Sequence, residues 1–196
     1  MSATAVKKAT MSRAQAIAFV GLSIALMAVG AWITVPIGPV PFTLQVFVIA
    51  FVLFVLPGWL PVAAIAGYLL LGAVGVPVFS GMRGGIGVLM GPTGGFLLGY
   101  LVAGIACVGL ARLTRGAHPA EISNTREVIS DIAVGLLFLA IIYVCGWAQY
   151  MMVANVDAVQ SFAVTVAPFI LVDALKIVAA IIVAQIIHRS VGTLSR

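Results

Sequence analysis

Two ionisable residues, Asp173 and Lys176, interrupt an apolar run that extends from Pro168 to Ala180. A charged side chain at mid-membrane costs about 2.5–3.5 kcal/mol on insertion scales. At about 1.5 Å per residue from Pro168, both lie roughly 8–12 Å below the outer end of a helix. Their i, i+3 spacing places them on one helix face. The chemistry this pair offers is an ammonium for an anion and a carboxylate for N–H donors.

The Asp173–Lys176 pair has two interpretations. It can be an internal salt bridge that only locks the helices together, or it can belong to a binding site that faces the interior. We favour the binding site, because an ionisable residue inside a membrane marks a functional site by default. The two interpretations are compatible, since the ion pair can be the ligand-free state of the site.

Four further polar residues are candidates for the same site. Thr43 and Gln45 begin an apolar run, and helix capping is the expected role for Thr43. Tyr100 lies one turn beyond a glycine-rich segment and can donate its hydroxyl. Arg83 lies among those glycines, either as a solvated charge or as a gate and anion contact.

The composition defines the environment in which these residues act. Hydrophobic residues make up 63% of the 196 residues and charged residues only 8%, against roughly 25% charged residues in an average soluble domain. Mean hydropathy is +1.26. A membrane-spanning helix needs about 20 apolar residues, so the sequence predicts about five to seven spans and no separate soluble domain.

The pattern of apolar runs predicts an all-α membrane protein with six transmembrane helices. Residues 1–196 are expected to form a single transmembrane substrate-binding domain with a short cytoplasmic N-tail at about 1–13. The first run is too long for the apolar region of a signal peptide and is expected to be retained. The predicted spans are about Ala14–Val35, Thr43–Leu56, Leu60–Val76, Gly95–Leu113, Asp131–Tyr150 and a last span from near Phe162, or more strictly Pro168, to Ile187.

The segment Val76–Gly95 is rich in glycine, yet it is too apolar for a solvated loop. Irregular backbone at membrane depth must be buried in protein or line a cavity. We therefore predict that it is re-entrant or folds back at the outer face. The polar stretch Thr114–Ser130 is predicted to be a solvated loop on the opposite side, and Asn155, Asp157 and Gln160 to lie in a short outer loop.

The distribution of basic residues predicts the orientation. Cytoplasmic loops carry an excess of Lys and Arg, and six spans place both termini on one side. The opposite side then holds only Arg83, so the N- and C-termini are expected in the cytoplasm. The basic residues on the predicted inner side are Lys7, Lys8, Arg13, Arg112, Arg115, Arg126, Arg189 and Arg196.

Other residue patterns carry structural expectations. We attribute the net charge of +5 to basic residues that set the membrane orientation and contact anionic lipid headgroups, rather than to nucleic-acid binding. The aromatic residues near outer ends are assigned to an interfacial belt; they are Trp32, Tyr143, Trp147 and Tyr150. Ala14 and Ala18 are four residues apart in the first span, which lets another helix approach closely.

The motifs that the sequence lacks argue against an enzyme. It contains no G-x-x-x-x-G-K-[ST] phosphate-binding loop, no H-E-x-x-H zinc motif and no G-x-S-x-G nucleophile turn. Cys107 and Cys145 both lie in apolar runs and form no metal-ligand pattern. No catalytic residue, metal or cofactor is therefore expected.

Several segments resemble the BioY family, the biotin-specific substrate-binding (S) components of energy-coupling-factor (ECF) transporters. The matching segments are Ile37–Gln45 (IGPVPFTLQ), Tyr68–Phe79 (YLLLGAVGVPVF), Gly91–Gly95 (GPTGG) and the pair Asp173 and Lys176. The similarity runs from about residue 15 to 187. It implies a six-helix fold in the cytoplasmic membrane of a prokaryote, with biotin bound near the outer face.

The resemblance also implies partners and a mechanism. A transmembrane coupling subunit and two ATPase subunits complete an ABC-type importer, and in the family the small-residue face of the first span contacts the coupling subunit. This gives Ala14 and Ala18 a role. ATP hydrolysis by the partners would reorient the loaded subunit toward the cytoplasm.

The chemistry of biotin fits the candidate residues. Biotin has a carboxylate, a ureido group with two N–H donors and a carbonyl, and an apolar thioether ring. Its pocket needs a cation, a strong acceptor, a few neutral donors and apolar walls, which Lys176, Asp173 and some of Gln45, Thr93 and Tyr100 supply. Three alternatives stay open: an S component for another small vitamin, a structural subunit that binds no ligand tightly, and a membrane enzyme.

Overall fold

The computed structural model of the chain describes residues 11–115 and 124–191. Most of the predicted N-tail lies outside these ranges, together with Lys7, Lys8 and Arg196, which contributed to the predicted orientation. Within the described residues the fold is almost entirely helical. One short antiparallel hairpin is the exception, with Thr34 opposite Thr43 and Val35 opposite Phe42.

Eight helices and two strands make up the described chain. They are α1 (Arg13–Trp32), β1 (Thr34–Val35), β2 (Phe42–Thr43), α2 (Gln45–Val55), α3 (Leu60–Ala73), α4 (Ile86–Leu89), α5 (Gly94–Arg115), α6 (Asn124–Ala154), α7 (Ala158–Thr165) and α8 (Ile170–Val191).

Six of these helices correspond to the six predicted spans. Within the described ranges, α1, α5, α6 and α8 are long and apolar enough to cross a membrane, whereas α2 and α3 are apolar but shorter. The chain is therefore a multi-pass membrane protein.

The predicted loop Thr114–Ser130 is wrong at both ends, because α5 continues to Arg115 and α6 already begins at Asn124.

The short helix α2 lies at the centre of the bundle. It contacts α1, α3, α5, α6 and α8, and most of its 11 residues are buried. A helix enclosed on all sides can be apolar around its whole circumference, which explains its uninterrupted apolar run from Val46 to Val55. At about 1.5 Å per residue it is only about 16 Å long, so its first residue, Gln45, lies inside the protein.

Helices α5 and α6 form a close antiparallel pair. The Cα of Gly95 lies against the backbone of Cys145, and a Cβ at Gly99 would lie 3.0 Å from the Cys145 Cβ. Further along, the Cys107 thiol donates to the Val134 carbonyl at 3.4 Å. Small residues allow membrane helices to approach at such distances, so these glycines bring the start of α5 against the end of α6.

The glycine-rich segment folds back against the helices. The Phe79 ring packs directly over Gly72 of α3, and the amide of Gly85 donates to the Gly72 carbonyl at 2.6 Å. Gln149 of α6 donates its side-chain amide to the carbonyls of Leu89 and Gly91 at 2.7 and 2.8 Å. These bonds satisfy irregular backbone that would otherwise be unpaired, as apolar surroundings require.

The region before α8 differs from the prediction. Residues Ala158–Thr165 form a separate helix, α7, whose first amides donate to the Asp157 carboxylate. The last span therefore starts neither near Phe162 nor at Pro168, and α8 begins at Ile170. From there Asp173 and Lys176 are about 4.5 and 9 Å along the helix, which is shallower than the sequence suggested.

Replacing Gly95 by Ala is expected to lower the stability of the detergent-solubilised protein by about 1–3 kcal/mol, the range for overpacking. The new Cβ would overlap the Cys145 carbonyl and come within 2.7 Å of the Gln149 Cβ, and the carbonyl cannot move without shifting α6. Gly109→Ala on the same helix meets nothing within 4 Å and is the matched control. A melting temperature that is equal in both variants would contradict the close α5–α6 contact.

Candidate functional site

A cavity of about 580 Å³, including its open mouth, lies where α2, α5 and α8 begin. All seven residues proposed from the sequence line it: Thr43, Gln45, Arg83, Thr93, Tyr100, Asp173 and Lys176. The rest of the wall comes from Val40, Pro41, Phe79, Ser80, Val88, Phe96, Leu97 and Phe169. Side chains from four separate segments thus meet at one end of the bundle.

The Asp173–Lys176 ion pair lies in the cavity wall. The Lys176 Nζ is 2.7 Å from the Asp173 Oδ1 and donates a second bond, of 2.8 Å, to the Thr43 carbonyl. The Tyr143 hydroxyl donates to the Asp173 Oδ2 at 3.0 Å. The two side chains are only 3% and 13% exposed, so the pair is desolvated and held by groups from α6 and from the hairpin.

Thr43 contributes through its backbone more than through its side chain. The residue that precedes α2 is Leu44, not Thr43, and it makes no side-chain cap. The expected capping role is therefore only partly correct: the Thr43 hydroxyl accepts a long bond, of 3.3 Å, from the Gln45 amide. The Thr43 carbonyl accepts from the Lys176 ammonium.

Gln45 is the buried polar residue at the start of α2. Its side chain is 4% exposed, and its Nε2 donates to the Tyr68 hydroxyl at 2.6 Å. The Tyr68 hydroxyl donates in turn to the Val78 carbonyl at 3.0 Å. A side chain on α3 thereby joins the cavity wall to the glycine-rich segment.

Tyr100 and Thr93 supply neutral hydroxyl groups. Tyr100 is 4% exposed, and its ring stacks on Phe138 with 6.1 Å between centroids. Within residues 11–115 and 124–191 neither hydroxyl makes a hydrogen bond to the protein. Both residues line the cavity, so both hydroxyls are available to a bound molecule.

Arg83 lies at the exposed edge of the cavity. It closes a tight turn in which Gly81 and Met82 have φ values of 70° and 54°, and its Nε donates to the Ser80 carbonyl at 3.1 Å. Because Asp173 and Lys176 neutralise each other, Arg83 gives the charged residues of the lining a net positive charge. A bound anion is therefore favoured near the mouth.

Sequence reasoning missed the residues that hold the site in place. Tyr143 was assigned to an interfacial aromatic belt, yet it hydrogen-bonds Asp173. Trp32, assigned to the same belt, donates to the Pro77 carbonyl at 2.9 Å. Phe42 stacks on Phe169 with 4.3 Å between centroids. A tyrosine hydroxyl inside an apolar run is the one signal that could have identified Tyr143, because buried hydroxyls require partners.

Ala14 and Ala18 lie away from the cavity. Both are exposed, in the first half of α1, and the buried residues of this helix are concentrated in its second half.

A helical multi-pass protein with a small cavity, apolar walls and a few convergent polar groups has the features of a membrane receptor or carrier for a small molecule.

Comparisons with known proteins agree with that class. The sequence matches the BioY family over residues 3–193. It is 39% identical to the biotin transporter BioY of Thermotoga maritima over 84% of this chain and 90% of the relative. It is 38% identical to the probable biotin transporter BioY of Pyrococcus horikoshii over 88% and 96%, respectively. The chain belongs to the BioY family.

A solved structure shares the fold. The crystal structure of the S-component for biotin from an ECF-type ABC transporter superposes with a TM-score of 0.78, at 20% sequence identity. The match covers 92% of this chain and 96% of the other. The predicted helical fold of this family is thereby confirmed.

Proposed function

We propose that the chain captures biotin and takes it up across the membrane as the substrate-binding subunit of an ECF-type importer. The observation that carries this proposal is the cavity, which joins the Asp173–Lys176 pair to Gln45, Thr93 and Tyr100. Membership of a family of biotin transporters supports it. The chain is a transport component and not an enzyme.

The polar groups of the cavity match those of biotin. Asp173 and Gln45 can accept from the ureido N–H groups, and Tyr100 and Thr93 can donate to the ureido carbonyl. The net positive charge that Arg83 adds near the mouth suits the carboxylate. Phe79 and Phe169 offer apolar surface to the thioether ring.

Asp173→Ala is expected to weaken biotin binding by about 1.5–3 kcal/mol, the value of a hydrogen bond to a charged group. Lys176→Ala is expected to abolish tight binding, because it leaves the Asp173 carboxylate buried without its cation. Equilibrium binding of labelled biotin to the purified protein in detergent measures both.

Asp157→Ala is the matched control, since Asp157 caps α7 and does not line the cavity. Unchanged biotin affinity in Asp173→Ala would show that Asp173 does not bind biotin. A folded wild-type protein that binds no biotin would favour another vitamin or a structural role for the ion pair.

We propose six membrane spans with both termini in the cytoplasm, in the cytoplasmic membrane of a prokaryote. Residues 1–196 would then form a single transmembrane substrate-binding domain. Helices α2 and α3 are short for a core of roughly 30 Å, so the hairpin and the glycine-rich segment would complete their spans. The excess of basic residues on the side away from Arg83 supports the orientation, and bacterial and archaeal relatives support the location.

Cysteine labelling tests this topology. In a protein with Cys107 and Cys145 replaced by Ala, a membrane-impermeant maleimide is expected to label Met82→Cys in intact cells. It is expected to label Ser190→Cys, near the end of α8, only after permeabilisation. Both positions are exposed. Labelling of Ser190→Cys in intact cells would contradict the cytoplasmic C-terminus.

We propose that a transmembrane coupling subunit binds the exposed face of α1 that contains Ala14 and Ala18, and that two ATPase subunits drive transport. The absence of a phosphate-binding loop motif in the sequence supports a separate energy source. Small residues on an exposed helix face permit close helix packing. Closure over biotin would precede reorientation of the loaded subunit.

The double variant Ala14→Leu/Ala18→Leu is expected to reduce ATP-dependent biotin uptake at least tenfold in proteoliposomes that contain the complete transporter. Its biotin affinity in detergent is expected to be unchanged, because neither residue lines the cavity. Ala179→Leu, at an exposed position on α8, is the control. Full uptake by the double variant would show that this face of α1 does not bind the coupling subunit. Uptake by the purified chain alone would contradict the proposal that transport requires partner subunits.

A further inference from the structure

Tyr68 lies behind the cavity and has no contact with its interior space. The residue is fully buried, at 0% exposure, and it is not part of the lining. Its ring packs edge-on against Phe79 with 5.5 Å between centroids. The hydroxyl lies between two polar groups, the Gln45 amide on one side and the Val78 carbonyl on the other.

The hydroxyl of Tyr68 determines whether the side-chain nitrogen or the side-chain oxygen of Gln45 faces it. A carbonyl oxygen can only accept, so the one proton of the Tyr68 hydroxyl is directed to the Val78 carbonyl. The oxygen of Tyr68 can then only accept from Gln45, which must present its Nε2. The reversed amide would compete for the same proton and leave the buried Val78 carbonyl without a donor.

The Gln45 carbonyl oxygen is therefore left for the cavity. Within the described residues this oxygen accepts no hydrogen bond from the protein, and Gln45 lines the cavity. Asp173 lines the same cavity and also offers acceptor oxygens. An unconstrained glutamine could offer either an acceptor or a donor, but this one is restricted to its acceptor.

We propose that Tyr68 is a positioning residue that fixes the Gln45 carbonyl toward the cavity, so that this position selects a ligand with an N–H donor there. The proposal rests on the proposed function, since it assigns the N–H donor to the ureido ring of biotin. Tyr68 acts through Gln45 and does not touch the ligand. A ligand with an oxygen in place of that N–H would place two acceptors opposite each other and would be rejected.

The test compares biotin with two analogues, each with one of the two ureido N–H groups replaced by oxygen. Affinities for all three are measured by equilibrium binding to the purified full-length protein in detergent. The wild type is expected to bind at least one analogue about 100-fold more weakly than biotin, because a lost hydrogen bond is compounded by acceptor repulsion. Tyr68→Phe releases the Gln45 amide, which can then rotate and donate to the analogue oxygen.

Tyr68→Phe is expected to weaken biotin binding about tenfold while the affinity for the discriminated analogue stays within about threefold. Discrimination is the ratio of the analogue Kd to the biotin Kd. It therefore falls at least about threefold, because Tyr68→Phe weakens biotin binding more than it changes analogue binding. A purely structural role would weaken biotin and both analogues by the same factor, and this result would overturn the proposal. Unchanged discrimination would overturn it too. Absence of biotin binding by the folded wild type would instead overturn the proposed function, and the inference with it.

Three further variants separate positioning from folding. Trp32→Phe removes a similar side-chain bond to the glycine-rich segment, at Pro77, and leaves the Gln45–Tyr68 bond in place, so discrimination is expected to be that of the wild type. Gln45→Met removes the carbonyl itself and is expected to lose discrimination even where Tyr68→Phe does not fold. Full discrimination in Gln45→Met would contradict the proposal. The double variant Tyr68→Phe/Gln45→Met is expected to lose no more discrimination than Gln45→Met alone.

Discussion

The buried ion pair between Asp173 and Lys176 is the interaction on which the cavity depends. Two charges in a largely desolvated wall are stable only when each has partners that replace water. The structure supplies them from the Tyr143 hydroxyl and the Thr43 carbonyl. These bonds join α8 to α6 through Asp173 and to the hairpin before α2 through Lys176. Removal of one charge therefore breaks one of these links and leaves the other charge without its ionic partner.

The cavity exists because α2 is short. A helix of full length at the centre of the bundle would fill this end with apolar side chains, whereas α2 begins inside the protein at Gln45. The space above it is enclosed by the hairpin and the glycine-rich segment. Backbone carbonyls of the glycine-rich segment accept from side chains of the surrounding helices, such as Trp32, Tyr68 and Gln149. The same bonds place Arg83 at the mouth of the cavity.

Much of the site could be predicted from the sequence, because charged and polar residues in apolar runs are conspicuous. Asp173, Lys176 and Gln45 are of this kind, and the structure brings them into one cavity. Tyr143 and Tyr68 could not be placed, because each finds its partner on another helix, at a sequence distance that local patterns do not encode. Helix α7 was missed because one capping carboxylate, Asp157, starts it within a stretch that reads as a loop.

The most direct test of this account is a crystal structure of the protein with biotin bound. The account predicts density for biotin in the cavity where α2, α5 and α8 begin, with ureido nitrogens within hydrogen-bonding distance of Asp173 or the Gln45 carbonyl oxygen. Density for biotin elsewhere on the protein, with this cavity unoccupied at saturating biotin, would contradict it.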